Sequence, residues 1–111
     1  MGLTRTELFT DHANEVAELA KVLGHPARVS ILRYLIDANA CINSDLVNEI
    51  GLAQATISQH LRELKAAGLI QGSIEGVRMN YCIDRQGWQK AEALLAGFFT
   101  SFPKNKNACC G

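Results

Sequence analysis

Three glycines divide the middle of the chain into two helical segments followed by two strand-like segments; they are Gly51, Gly68 and Gly76. Residues 44–50 and 53–67 carry apolar side chains at helical spacing, and Ser44 is a typical N-cap for the first segment. Residues 69–74 and 77–83 are typical of two strands joined by a tight turn, where a glycine supplies the positive φ. Two helices joined by a turn and followed by a hairpin predict a helix-turn-helix with a β-hairpin wing.

Three further helices are predicted around this motif. Apolar residues at helical spacing run over about 7–23, 26–37 and 85–102. Gly24 and Pro26 separate the first two helices, because glycine suits the residue after a helix and proline suits the first turn of the next. The predicted fold is mostly α with a small β-hairpin wing (α+β), in the order α-α-α-α-β-β-α. The predicted buried stripe of the second helix is Val29, Ile31, Leu32, Leu35 and Ile36.

A chain of 111 residues has room for one domain. We assign residues 1–103 to that domain and residues 104–111, after Pro103, to a flexible polar tail that carries two cysteines. The last helix has an apolar seam with an a/d rhythm, which consists of Trp88, Ala91, Leu95, Phe98 and Phe102. The seams of the first and last helices cannot easily both be buried in so short a chain. We therefore predict a homodimer formed through the terminal helices.

The polar side chains of residues 53–67 are typical of a helix that enters the major groove of DNA. Amides and hydroxyls can bond base edges or phosphates, and arginine can bond phosphate or guanine. An ordinary solvated helix face has a similar composition, but the preceding helix and the following wing favour DNA. The predicted DNA contacts are Gln54, Thr56, Ser58, Gln59, His60, Arg62 and, in the wing, Arg78. For His60, packing beside the helix is an equal alternative.

The charge balance argues for binding by a dimer. Eleven Lys and Arg residues balance eleven Asp and Glu residues, so the formal net charge is zero. Because phosphate contacts supply most of the non-specific affinity, a monomer is expected to bind DNA weakly. A symmetric dimer would double the contacts and read two half-sites about one helical turn apart. The low charge also permits an alternative, a winged-helix module that binds protein instead of DNA.

Several function classes are excluded by what the sequence lacks. No apolar run is long enough to span a membrane, and the acidic residues near the start are unlike a secretory signal, so we predict a cytoplasmic protein without a membrane partner. No histidine or carboxylate is spaced to activate a cysteine, and no glycine-rich phosphate loop occurs, so we predict no enzyme activity and no required cofactor. In the cytoplasm, reduced thiols rather than disulfides are expected at Cys41, Cys82, Cys109 and Cys110.

Three segments, in order, resemble the ArsR/SmtB family of metal-sensing repressors. LGHPARVSIL at residues 23–32 resembles the family's ALSDPTRLRIL, LAQATISQHL at 52–61 resembles its LSQPTVSHHL recognition helix, and residues 75–81 are similar to its EGRWVYY wing. The resemblance implies a homodimeric winged helix-turn-helix repressor that leaves double-stranded operator DNA when an inducer binds. Ala53 replaces the family's capping serine, at an expected cost of about 1 kcal/mol, and Ala55 replaces its proline.

The ligand sites that the resemblance implies are missing from this sequence. The arsenic-sensing CVCDL would fall on residues 42–46, which have no cysteine, although Cys41 lies one residue earlier. The zinc-type site on the last helix needs histidine and carboxylate ligands, and residues 85–102 supply only Glu92. Persulfide-sensing relatives need a cysteine in the second helix, where this chain has none. A different site is therefore expected.

The adjacent Cys109 and Cys110 are the remaining candidates for an inducer site. Neighbouring cysteines are poor disulfide partners but good ligands for a soft ion. Monomethylated trivalent arsenic needs only these two thiolates, whereas arsenite or antimonite needs a third, from Cys82 or Cys41. The roughly six residues from Pro103 to Cys109 can span up to about 20 Å, so the tail can reach either of these cysteines or the other protomer.

We therefore predict a thiophilic inducer, trivalent arsenic or antimony. Zinc or cadmium would also accept the four thiolates of two tails. The alternatives are a redox-sensing repressor of the same fold, which uses its thiols as the switch, and a tail without a function.

Overall fold

The computed structural model describes residues 6–42, 50–73 and 80–103. Among these residues it contains four α-helices, a short 3₁₀ helix and a two-stranded antiparallel sheet, which confirms the predicted fold class. The helices are α1 (Asp11–Leu23), α2 (Pro26–Ala38), α3 (Gln54–Ala66) and α4 (Arg85–Thr100); the strands are β1 (Ile70–Ser73) and β2 (Asn80–Ile83); the 3₁₀ helix is Thr6–Leu8. The predicted helix at 44–50, except for residue 50, the turn at Gly76 and the tail at 104–111 lie outside the described residues.

The first helix is shorter than predicted, because it begins at Asp11 and not at Glu7. Thr10 is extended and its side chain accepts a hydrogen bond from the backbone N–H of Ala13, at 3.0 Å. This N-cap separates α1 from the 3₁₀ turn at Thr6–Leu8. Apolar spacing alone extends the helix back through Thr10 to Glu7, because the spacing does not register the capping side chain.

The turn before α3 follows the prediction. Gly51 has a φ of 91°, a conformation that favours glycine. Helix α3 then begins after Ala53, which makes no side-chain capping bond. The structure therefore confirms that the N-terminus of α3 lacks a side-chain capping bond, as expected from the alanine at this position.

The core lies where α2, α3 and the hairpin meet. Its buried members are Leu19 of α1, Ile31, Leu32 and Leu35 of α2, Ile57, Leu61 and Leu64 of α3, and Leu69, Ile70 and Tyr81 of the hairpin and its approach. Two predicted members of the α2 stripe are outside this core, since Val29 is 50% and Ile36 is 38% exposed. These two residues are seven positions apart and share a helix face that is turned away from the core.

The hairpin pairs Ile70 with Ile83 and Ser73 with Asn80. A third segment joins it, because Ile42 and Tyr81 exchange two backbone hydrogen bonds of 2.9 and 3.0 Å in an antiparallel bridge. The chain that leads out of α2 is thereby attached to β2. This contact holds the hairpin against the connector, which is the segment of residues 39–42 that follows α2.

Helix α4 starts in close contact with the turn after α3. Asp84 caps the helix by accepting from the N–H of Gly87 at 3.1 Å. A Cβ on Gly87 would overlap the carbonyl oxygen of Gly68, so only glycine fits this crossing. Farther along, Trp88, Ala91 and Leu95 are half-buried, whereas Phe98 and Phe102 are exposed. No residue of α4 is fully buried within the single chain.

Candidate nucleic-acid interface and cysteine pair

Helix α3 has one buried face and one exposed polar face. Ile57, Leu61 and Leu64 are at most 1% exposed and hold the helix against the core. Three of the predicted DNA contacts, Gln54, Thr56 and Gln59, are exposed, as is Arg62, and Ser58 is half-exposed. The structure therefore brings five of the seven predicted side chains onto one helix with their polar groups accessible.

Hydrogen bonds between neighbouring turns order this exposed face. Gln54 donates from Nε2 to Ser58 Oγ at 3.0 Å. Arg62 donates to Gln59 Oε1 at 3.2 Å, and Gln59 donates from Nε2 to Glu63 Oε2 at 3.2 Å. The amide and guanidinium groups are thus held side by side, and Glu63 reduces the positive charge beside them.

His60 has a different environment from the other predicted contacts. It is only 6% exposed, and its Nδ1 accepts a hydrogen bond from Arg28 Nε of α2 at 3.1 Å. His60 therefore packs beside the helix, as the alternative interpretation predicts. The predicted direct contact of His60 with DNA is wrong, because the ring is buried and faces α2. On the helix, His60 lies at the boundary between the exposed face of Gln59 and the buried face of Leu61, so spacing alone does not decide which face it belongs to.

A lysine in the last turn of α3 connects this helix to the wing. Lys65 donates from Nζ to the carbonyl oxygen of Gly72 at 2.6 Å. This bond joins the last turn of α3 to β1 and orients the hairpin beside the exposed helix face. Arg78, the predicted wing contact, lies outside the described residues.

Cys41 and Cys82 form a disulfide, which corrects the expectation that they are reduced thiols. The Ile42–Tyr81 bridge explains the pairing. In an antiparallel ladder, the residues next to a hydrogen-bonded pair face each other at close range, with α-carbons about 4.5 Å apart. Cys41 and Cys82 occupy these positions, and their α-carbons are 4.2 Å apart. Detecting the pair from sequence would have required the bridge between the connector and β2.

Cys109 and Cys110 lie outside the described residues. Within the described ranges, no group of three or more His, Cys, Asp or Glu side chains is arranged to hold a metal ion. No helix in this part of the chain is long and apolar enough to cross a membrane. Among the described residues, the cysteines are thus the disulfide pair Cys41 and Cys82, which joins the connector to β2.

Comparisons with known proteins agree with this architecture. The profile described as "Bacterial regulatory protein, arsR family" matches residues 25–71, from the start of α2 to β1. The biofilm growth-associated repressor of Xylella fastidiosa is 35% identical over 100 residues, which cover 90% of this chain and 83% of the repressor. The crystal structure of the Xylella fastidiosa transcriptional repressor BigR has a TM-score of 0.57 at 30% identity, and covers 86% of this chain and 92% of that one.

A mycobacterial regulator gives a second comparison. The helix-turn-helix transcriptional regulator Rv0081 of Mycobacterium tuberculosis is 36% identical over 67 residues, or 60% of this chain. The aligned part spans 59% of that regulator's own length. Its crystal structure has a TM-score of 0.57 at 27% identity, and covers 84% of this chain and 97% of that one. Together with the exposed face of α3 and the hairpin beside it, these similarities show that the chain belongs to the arsR family of bacterial regulatory proteins.

Proposed function

We propose that the protein is a cytoplasmic, homodimeric transcriptional repressor that binds double-stranded operator DNA and leaves it when a thiophilic inducer binds. The observation that carries the DNA-binding part is the exposed polar face of α3, with the hairpin attached beside it through Lys65. In a winged helix-turn-helix, such a helix reads the major groove. Gln54, Gln59 and Arg62 carry the groups that bond base edges and phosphates.

The apolar surface at the two ends of the described chain supports the homodimer. Exposed large apolar side chains occur before α1 and at the end of α4: Leu8 (64%), Phe9 (61%), Phe98 (46%), Phe99 (69%) and Phe102 (72%). Covering a side chain of this size is worth about 1.5–3 kcal/mol. Since α1 and α4 pack against each other in one chain, these residues are suited to meet the same pair of helices in a second copy.

Thiols are the proposed site of the inducer. Cys109 and Cys110 supply one pair of sulfurs, and Cys41 and Cys82, when reduced, supply a second pair on backbones 4.2 Å apart. Monomethylated trivalent arsenic needs two thiolates, and arsenite or antimonite needs three. Either pair can therefore bind the methylated form, whereas the inorganic form would need both thiols of one pair and one thiol of the other. Zinc or cadmium would require both pairs or two protomers.

A redox-sensing repressor is the second candidate, and the disulfide between Cys41 and Cys82 favours it. Two-electron oxidation of the two thiols by a peroxide would form this bond and release water. The disulfide would attach the connector before the helix-turn-helix covalently to β2, so reduction would free the two segments to move apart. The inducer in this case is an oxidant and not a metalloid.

Operator titrations with two double variants test these proposals. Duplexes selected from a random-sequence pool on the reduced wild-type protein serve as operators, and affinity is measured by fluorescence anisotropy with methylarsenite, arsenite or hydrogen peroxide. Loss of the arsenical response in Cys109→Ser/Cys110→Ser assigns it to the tail, and its loss in Cys41→Ser/Cys82→Ser assigns it to the hairpin. A response to peroxide alone, abolished by Cys41→Ser/Cys82→Ser, would replace the metalloid inducer with the redox mechanism. Failure to select any duplex would refute DNA binding.

A further inference from the structure

A single arginine connects three helices on the side of α3 that faces away from the exposed polar surface. Arg28, in the first turn of α2, donates from Nε to His60 Nδ1 of α3 at 3.1 Å. A terminal nitrogen of the same guanidinium donates to the carbonyl oxygen of Val22 in the last turn of α1, at 3.3 Å. The position of α3 is thereby linked to α1, one of the two helices that are proposed to form the dimer.

The imidazole of His60 can accept this bond only when Nδ1 carries no proton. The ring lies beside that of His25, with centroids 4.4 Å apart, and His25 itself caps α2 by accepting from the N–H of Ala27. Two nitrogen-rich side chains, His25 and Arg28, therefore face His60 from the start of α2. Glu63 is the acidic group on its own helix that opposes them. The strand β1, which also packs on α3, carries no titratable side chain in Ile70–Ser73.

We propose that His60 is a positioning residue for the DNA-reading helix, and that its neutral ring, held by Arg28, fixes the orientation of α3 while a proton on Nδ1 releases it. Protonation converts the acceptor into a donor that faces the Arg28 N–H, and it places two positive charges at hydrogen-bond distance. The bond must break, and α3 loses its link to the end of α1. Burial, followed by the charges of His25 and Arg28, lowers the pKa of His60, so the link is intact at neutral pH.

The consequence for DNA reading follows from the position of His60 on its helix. Its neighbours Gln59 and Arg62 lie on the exposed face, so a rotation of α3 at His60 displaces both side chains together. An error of about 1 Å in the placement of such groups is enough to weaken a bidentate contact. Acidification should therefore weaken operator binding by reorienting the helix. The inference rests on the proposed DNA-binding function only where operator affinity is measured.

The first test needs no DNA. In nitrogen-15 spectra of the wild-type protein, His60 is expected to be the neutral tautomer with the proton on Nε2 at pH 7.5. On acidification, the backbone amides of Gln59, Leu61 and Arg62 should shift with the same midpoint as the His60 ring. The His60→Asn variant, whose side-chain oxygen can still accept from Arg28 but cannot titrate, should abolish this midpoint. Amides of α3 that do not follow the His60 ring would overturn the proposal.

The second test measures affinity for a selected duplex between pH 7.5 and 5.5. Wild-type affinity should fall about five- to tenfold more than that of His60→Asn, the equivalent of about one hydrogen bond. Gln89→Asn is the matched control, because it introduces the same side chain at an exposed position of α4, and it should keep the wild-type pH profile. Equal profiles for wild type and His60→Asn contradict the proposal. If no duplex binds at pH 7.5, the DNA-binding function fails, and the spectra alone decide whether His60 positions α3.

Discussion

The α-carbons of Cys41 and Cys82 are 4.2 Å apart, one residue beyond the backbone bridge that joins Ile42 to Tyr81. The two cysteines are 41 positions apart in sequence, and the loop between them contains the whole of α3 and β1. Their bond therefore encloses the part of the chain that is proposed to read DNA. Oxidation or reduction of this pair therefore changes how the connector is attached to β2, and it does not alter the exposed side chains of α3.

The first prediction concerns the stability that this bond provides. Closing a loop of this length removes unfolded-state entropy worth about 4 kcal/mol in the chain-entropy treatment. Urea unfolding of the oxidised wild-type protein should therefore give a free energy of unfolding about 2–4 kcal/mol higher than that of the reduced protein. The Cys41→Ser/Cys82→Ser variant is the control, and it should be insensitive to reductant. An equally large effect of reductant on this variant would show that other thiols are responsible.

The second prediction concerns the exposed phenylalanines of α4. Phe99 is 69% exposed, and its ring makes an edge contact with that of Phe98 at 5.4 Å. Phe99→Glu would place a charge in the proposed dimer interface, where burying it is unfavourable. Sedimentation velocity should show the dimer dissociation constant raised by about ten- to hundredfold, the equivalent of about 1.4–2.8 kcal/mol. Gln89→Glu, on another exposed position of α4, should leave the dimer unchanged.

The third prediction concerns the uncapped start of α3. Because Ala53 makes no side-chain bond to the first turn, Ala53→Ser should supply one and raise the free energy of unfolding by about 1 kcal/mol. Ala55→Ser, two residues into the same helix, introduces the same side chain where it cannot act as the N-cap. It should give no stabilisation. Thermal unfolding of the two variants decides the matter, and an equal effect would indicate a cause other than capping.

The fourth prediction compares two glycines of α4. In Gly87→Ala, the new methyl group would overlap the Gly68 carbonyl oxygen, so the backbone of α4 must move, at a cost of about 1–3 kcal/mol. Gly97→Ala meets no atom within 4 Å and should stabilise the helix by about 0.5–1 kcal/mol. Chemical denaturation measures both changes. Opposite signs are expected, and destabilisation of similar size in both variants would contradict the close contact at Gly68.

The fifth prediction concerns the pH dependence of stability. Because the pKa of His60 is lowered in the folded chain, the unfolded chain takes up a proton first as the pH falls. The contribution of the neutral ring is therefore complete above the ordinary histidine pKa of about 6.5 and is lost progressively below it. Unfolding measured at pH 7.5 and 5.5 should show a larger loss for wild type than for His60→Asn. A larger loss in the variant would reverse the expected sign.

Local patterns were sufficient to predict most of the fold. The apolar spacing of 53–67, the glycine at position 51 and the proline at position 26 act over a few residues, and the structure has α3, the turn and α2 at these places. The exposed polar set of α3 followed from the same periodicity. The start of α1 was misplaced because a capping threonine competes with the helical pattern, and the pattern alone does not show which prevails.

Features that depend on contacts between distant segments were not predictable in the same way. The disulfide follows from the pairing of Ile42 with Tyr81, and the role of His60 follows from Arg28, which is 32 residues away. Lys65 is similar, because its acceptor is a backbone carbonyl of β1. None of these partners has a side-chain signal in the sequence that would select it from other residues of the same type.

The bridge between Ile42 and Tyr81 also affects how the hairpin behaves toward other chains. An isolated pair of strands leaves outward-pointing N–H and carbonyl groups, and such an edge invites addition of a foreign strand. Here Ile42 uses both backbone groups of Tyr81, on the side of β2 away from β1. Breaking this bridge would uncover an edge at the middle of β2, so the segment after α2 also protects the hairpin against aggregation through its backbone.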